Sequence, residues 1–216
     1  ALTRAATHRA AAITAQGDDY RPMGELIDER SVVNGIVGLM ATGGSTNHAL
    51  HIPAMAAAAG ILVTLEDFAE ISAVTPLLAR IYPNGPSDVN HFHAAGGMSF
   101  LVRELLGAGL MDGGAQGVAG PISGYDREPF LDAGKVVWRA APEKSGDLEI
   151  LRPASDPFSE DGGLRLMSGP LGRGVSKVSA VKPANRVLEA PAIVFETQGA
   201  LKAAFEAGKL DRDFVA

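Results

Sequence analysis

The sequence predicts an α/β protein overall, with its helices first and its strands last. Three observations predict this. Apolar residues recur at helical spacing behind capping residues over positions 1–112. A Gly-, Pro- and Asp-rich stretch, 113–162, then carries no long helical pattern and reads as a connecting region. From 163 to 216, short runs such as "LRLMSG", "GRGVSKVSAV" and "APAIVFE" read as strands around one compact helix, "TQGALKAAFEAG". This last portion reads as the start of a β-rich domain, with "DFVA" opening a further strand.

The elements follow in order. Positions 1–15 are alanine-rich and helical by propensity. "GDDYRPMGELIDERS" is a polar connection with one short helical turn. "SVVNGIVGLMA" is apolar nearly all round and predicts a buried helix, with Ser31 as its cap. "STNHALHIPAMAAAAG" predicts the next helix, capped by Ser45 or Thr46, bent or restarted at Pro53 and ended by Gly60. Met40 and Met55 read as core filler. "ILV" is a brief extended piece. In "TLEDFAEISAVTPLLARI", Thr64 and Asp67 have the spacing of a capping box, and Phe68, Ile71, Val74 and Leu78 share one side. Pro76 breaks or kinks that helix. "YPNGPSD" is a turn cluster, and "VNHFHAAGGMSFLVRELLGAGL" predicts a short helix, a double-glycine break and a second helix.

Bulk composition excludes several classes. The 216 residues are 46% hydrophobic and 20% charged, an ordinary globular balance. The chain has no cysteine, so disulfides, thiolate metal ligands and cysteine nucleophiles are excluded within it. The net charge of −6 and the scattered basic residues argue against nucleic acid. No apolar run reaches the roughly 18–20 residues of a membrane span, so no membrane contact is expected. No GxGxxG or GxxxxGK[ST] nucleotide loop is present.

Chemistry-bearing residues gather in three places. "TGGSTNH" is a glycine pair entering a helix, followed by Ser45, Thr46, Asn47 and His48. Helix entrances carry unpaired N–H groups and a positive dipole end, which favour a carboxylate or phosphate. His51 is a helical neighbour of both Asn47 and His48. A capped, buried helix with internally paired polar groups explains the same residues. In "NGPSDVNHFHAAGG", Asp88 and His91 share a helical face while His93 does not. They suit an oriented base, half a metal site, or simply a helix cap. In "GPLGRGVSKV", Arg173 and Lys177 flank a glycine-rich turn and suit an anion or solvent equally. Glu196 and Gln198 at a strand-to-helix passage are a weak further signal.

Three long segments carry a resemblance: "SVVNGIVGLMATGGSTNHALHIPAMAAAAGI", "EDFAEISAVTPLLARIYPNGPSDVNHFHAAGGMSFLVRELLGAGL" and "RVLEAPAIVFETQGALKAAFEAGKLDRDFV". Together they resemble the dihydroxy-acid dehydratase and phosphogluconate dehydratase family over nearly the whole chain. "YPNGPSDVNHFHAAGG" and "SGYDREPF" are more similar to the phosphogluconate branch. The resemblance implies an internal piece of a cytoplasmic lyase in the Entner–Doudoroff pathway, removing water from 6-phospho-D-gluconate. It implies that 1–112 is the helical end of the family's N-terminal α/β domain, and that 163–216 begins a barrel-like C-terminal domain.

The family uses an iron–sulfur cluster, generally with a nearby divalent metal, and acts as a homodimer on a small anionic sugar acid. This cysteine-free piece is expected to bind neither cluster nor metal and to be inactive alone. Ser45, Thr46, Asn47 and His48 are then expected to line the substrate site. His51, Asp88, His91, His93, Arg173 and Lys177 are candidate supporting residues, and the proton-abstracting base is assigned to none of them. Two other readings remain: dehydration of a dihydroxy acid or unphosphorylated sugar acid, and a non-catalytic helical scaffold in which "TGGSTNH" is occluded.

Overall fold

A computed structural model describes residues 2–215. The chain divides into two units, Ala1–Ala180 and Val181–Ala216.

The larger unit is built around one helix. Helices α1 (Leu2–Ala12) and α2 (Met23–Leu26) precede α3 (Glu29–Thr42), whose residues Val32, Ile36, Val37, Leu39, Met40 and Ala41 are all buried. Its cap is Asp28 rather than Ser31. The Asp28 side chain accepts from the Ser31 amide at 2.8 Å, and the Ser31 hydroxyl receives the Asp28 amide at 2.9 Å. Ser31 thus fills the third helical position of a reciprocal capping box.

The apolar surface of α3 feeds two clusters. Val37 and Ala41 pack with Leu78, Phe92, Phe100, Leu101, Leu105 and Leu151. Val32, Ile36, Leu39 and Met40 pack with Ile52, Ala56, Phe68 and Leu164. The one buried amide on α3, Asn34, is satisfied at both ends by the main chain of Asp112, at 2.9 and 2.8 Å.

Helix α4 (His48–Ala58) runs through Pro53 without a break and buries Ile52 and Ala56. Met55 is 54% exposed, so it is not core filler. Gly60, at φ +79°, ends the helix: Ile61 donates to Ala56 at 2.8 Å and Gly60 to Ala57 at 3.0 Å. Helix α5 (Leu65–Val74) starts at the expected Thr64–Asp67 box. It buries Phe68 and Ser72, while Val74 faces outward.

Pro76 ends the helical course, and the extended stretch after it buries Leu77, Leu78 and Ala79 in the core before Arg80 and Tyr82 reach the surface. Leu78 and Ala79 donate to Ala41, Arg80 to Ile150 and Tyr82 to Ser87, at 2.7–3.1 Å. Helices α6 (Val89–Ala95) and α7 (Gly97–Gly107) follow, joined at Gly96 and Gly97 as the double glycine predicts.

The expectation of a β-rich, barrel-like second portion is overturned. The strands are β1 (Gln116–Gly117), β2 (Gly120–Pro121), β3 (Arg127–Asp132), β4 (Lys135–Ala140), β5 (Arg165–Gly169) and β6 (Gly172–Ser176). Among the described residues they form three separate antiparallel pairs, β1–β2, β3–β4 and β5–β6, none closed or curled. The fold is a mixed α/β arrangement with small two-stranded sheets.

The reason is local. Ala133 and Gly134, at φ +45° and +80°, turn β3 straight back on β4, and Pro170–Leu171 turns β5 back on β6. Each strand spends one edge on its sequence neighbour and finds no third strand, whereas closure needs a continuous ring of them. Leu164, just before β5, is buried against Met40 and Phe68, so this hairpin belongs to the helical core.

The smaller unit holds helix α8 (Gln198–Glu206), capped by Thr197, which accepts from the Ala200 amide at 3.1 Å. "APAIVFE" and "DFV" make one parallel bridge, Ala192 to Val215, rather than strands of a sheet, and Ala216 lies outside the described residues. No helix among the described residues is long and apolar enough to cross a membrane.

Candidate functional site

The polar island forms an exposed turn between the buried end of α3 and the exposed start of α4. Helix α3 closes at Gly43, φ +58°, with Gly44 donating to Leu39 at 3.0 Å. The chain then leaves the core, and Ser45, Thr46, Asn47 and His48 are all exposed. The occlusion expected of a plain scaffold is absent there.

Neither Ser45 nor Thr46 caps α4. Asn47 stands at the N-cap with helical dihedrals and makes no side-chain cap bond. A tight turn has taken over that task. His48 donates to Ser45 at 3.1 Å, Ala49 to Thr46 at 2.9 Å, and Leu50 and His51 to Asn47 at 3.0 Å. The amides at the start of α4 are therefore occupied by main chain, and the helix entrance is not the open anion nest that spacing suggests. Residues 45–48 themselves are exposed. The Ser45 hydroxyl receives the Asn47 amide at 3.2 Å.

His48 is oriented. Its Nδ1 lies 2.9 Å from the Ser45 carbonyl oxygen. A carbonyl only accepts, so Nδ1 carries the hydrogen, and Nε2 of the neutral ring presents a lone pair. His51 is exposed on the same helix, one turn on.

The second candidate group pairs as a cap. Asp88 accepts from the Asn90 and His91 amides at 2.9 and 3.1 Å, and the His91 ring nitrogen lies 2.8 Å from the same carboxylate oxygen. The His91 amide, then its ring, holds the Asp88 carboxyl below the ordinary carboxylate range. His93 is exposed on a different face of α6.

Arg173, on β6, pairs with Glu66 in the first turn of α5, both half-exposed. Burial pushes the Lys177 amine down from its ordinary value. Among the described residues, no three His, Cys, Asp or Glu side chains group to hold a metal ion.

The structure joins the first two segments through a residue that spacing did not flag. The Asn84 amide nitrogen donates to the Gly43 carbonyl at 2.8 Å and the Thr42 carbonyl at 3.3 Å. Its oxygen accepts from the Ser179 hydroxyl at 3.0 Å. In sequence, Asn84 reads only as a turn former within "YPNGPSD". The extended course of 77–82, which brings it to the end of α3, is a tertiary feature.

A groove in the bigger unit lies elsewhere. It encloses about 1000 Å³ between α1 and the β3–β4 hairpin, with Trp138, Tyr125 and Ile13 in its walls. A hollow of about 490 Å³ in the smaller unit is lined by Leu201, Phe205 and Phe214. None of residues 45–48 lines either.

Comparison with known proteins bears on what the turn belongs to. The profile described as "Dihydroxy-acid/6-phosphogluconate dehydratase N-terminal" matches residues 1–124, and its C-terminal counterpart matches 149–216. The chain belongs to the dihydroxy-acid/6-phosphogluconate dehydratase family. It is 57% identical over its full length to the phosphogluconate dehydratase of Pseudomonas aeruginosa and 53% identical to that of Escherichia coli K12, covering 36% of each. It is 36% identical to the dihydroxy-acid dehydratase of Nitratidesulfovibrio vulgaris, over 86% of this chain and 32% of the relative. The chain thus spans about a third of the length of the curated dehydratases it matches.

Proposed function

We propose that this chain forms part of a hydro-lyase that converts 6-phospho-D-gluconate to 2-dehydro-3-deoxy-6-phospho-D-gluconate, with Ser45–His48 supplying part of the substrate-site wall. The observation that carries the reading is the difference in likeness: 57% identity over the whole chain to a phosphogluconate dehydratase, against 36% to a dihydroxy-acid dehydratase. The reaction removes the proton from the carbon beside the carboxylate and the hydroxyl from the next carbon. The resulting enol becomes the 2-oxo acid by taking a proton at that second carbon and releasing the one on its enol oxygen, so one water leaves in all.

The substrate presents a carboxylate, a phosphate and a row of hydroxyls. Exposed short donors suit such a ligand, because hydrogen bonds to charged groups are stronger than neutral ones. Ser45 and Thr46 offer hydroxyls and Asn47 a carboxamide. His48 offers Nε2, which accepts from a substrate hydroxyl when neutral and donates to an anion when protonated. His51, one turn along α4, and Lys177, a partly desolvated cation, are supporting groups in this proposal. Arg173 is already paired with Glu66, Asp88 and His91 form the cap of α6, and His93 lies in its last turn.

The residues of this chain do not fit an iron–sulfur cluster. Such clusters are held chiefly by thiolates, and the sequence has none. The donor set for a divalent metal is also missing among the described residues. No step is therefore assigned to either group here. A cytoplasmic homodimer, with 113–162 connecting an N-terminal and a C-terminal domain, completes the proposal.

The test is a substrate panel on the whole gene product that carries this chain. Turnover of 6-phospho-D-gluconate well above that of a branched dihydroxy acid and of unphosphorylated gluconate supports the reading. Preference for either of the others overturns it.

A further inference from the structure

We propose that Asn84 is the positioning residue of the substrate-facing turn: its carboxamide clamps the last carbonyls of α3 and so sets the direction in which Ser45–His48 leave the fold. This deepens the proposal above and rests on the reading of that turn as substrate wall.

The clamp uses both ends of the carboxamide. Nδ2 donates to the Gly43 and Thr42 carbonyls, at 2.8 and 3.3 Å, while Oδ1 accepts from Ser179 at 3.0 Å. Ser179 also lies 3.2 Å from the Gly163 carbonyl, and its amide donates to that same oxygen. Four stretches of the sequence, at 42–43, 84, 163 and 179, thus meet at one node, immediately before the turn.

The node is close-packed. A Cβ on Gly43 would lie 1.7 Å from Asn84 Nδ2, and one on Gly163 would lie 3.0 Å from the Gly43 Cα. Gly43 also needs its left-handed backbone, φ +58°. Only a residue without a side chain serves at the end of α3, and only a group that donates and accepts at once serves opposite it. An aspartate in place of Asn84 would set a carboxylate against two carbonyl oxygens.

The frame behind Asn84 is stiff. Its own amide donates to Ile81 at 2.8 Å, and Tyr82 donates to Ser87 at 2.7 Å, closing the loop. Leu78 and Ala79, just upstream, both donate to Ala41 in the last turns of α3. A change at Asn84 therefore acts on the few peptides from Gly43 to His48, with the core helices held independently.

The experiment uses Asn84→Ala, Asn84→Asp and Ser179→Ala in the whole gene product. KM and kcat are measured on 6-phospho-D-gluconate, and amide exchange is followed at 43–49 and in α7. Asn84→Ala and Asn84→Asp should raise KM about tenfold or more, since small misplacements of binding groups cost factors of that order. Exchange should speed up at Gly44, His48 and Ala49 while α7 stays protected. The KM defect of Asn84→Asp should shrink on acidification, as protonation restores a donor, and Ser179→Ala should show a weaker version of both effects. Wild-type KM with unchanged exchange overturns the clamp. Faster exchange at the turn with wild-type KM leaves the clamp but removes the turn from the substrate site. Exchange that speeds up equally in α7 reduces Asn84 to a stability residue and also overturns the proposal.

Discussion

The hydroxyl of Ser72 donates to the main-chain carbonyl of Leu164 at 2.6 Å, and each residue is only 1% exposed. This bond, with the Gly162 amide on the Ser72 carbonyl at 2.8 Å, fastens the approach to β5 onto α5. Ser72→Ala leaves a buried carbonyl without its donor. We expect a loss of about 1–3 kcal/mol, the usual cost of an orphaned buried polar group. Urea unfolding of the wild type and variant measures it, and a difference near zero would contradict the assignment.

The exposed turn should affect substrate affinity more than stability. Ser45→Ala and Thr46→Ala remove hydroxyls that hold no part of the core. Loss of a hydrogen bond to a charged ligand is worth about 1.5–3 kcal/mol, so KM should rise about tenfold or more for whichever of the two contacts the anion. Thermal unfolding should stay close to the wild type. Steady-state kinetics on the whole gene product checks this. Unchanged KM for both, together with His48→Ala, would remove the turn from the site.

Arg173 and Glu66 form an ion pair open to water on both sides. Exposed pairs contribute about 0–1 kcal/mol. Glu66→Gln should therefore barely change stability, and so should Arg173→Met. A double-mutant cycle in low and high salt tests the coupling, which should fade as salt rises.

Asp88 should report on acid conditions. Its native carboxyl titrates below the ordinary range, chiefly because the His91 amide donates to it. A depressed carboxylate stabilises the native state above its unfolded value, about pH 3.9, and that contribution is lost as pH falls through the native value. The start of α6 should fray below about pH 4. Amide exchange at Asn90 and His91 across an acid titration follows it. Asp88→Asn, which keeps an effective cap, should flatten the response.

Legibility in sequence followed the range of the interaction. The Thr64–Asp67 box, the Pro76 break and the double-glycine joint at 96–97 are all local, and each lies where spacing predicts it. Near misses were also local: Asp28 outcompetes Ser31 because it sits where the chain is still extended, at φ −130°, before α3 begins. The hairpins were harder. "LRLMSG" and "GRGVSKVSAV" read as strands, but nothing in a run says whether its second edge finds a partner. The β3–β4 pair turns on "AG" at 133–134, a weaker signal than Asn-Gly. At the candidate site, residue types pointed to Ser45–His48. That the amides behind them are consumed by a tight turn depends on backbone angles that residue types leave open.

The sequence by itself determined the family, the helical order of the first hundred or so residues and the absence of thiolate chemistry, since each is a property of residue identity and short-range spacing. Only the tertiary structure decided that the strands stop at pairs, that Ser45–His48 lie on the surface while Gly43 is buried, and that Asn84 binds the chain just before them. The last of these rests on contacts between Gly43, Asn84, Gly163 and Ser179, whose energies exist only once the core has brought distant segments within hydrogen-bond range.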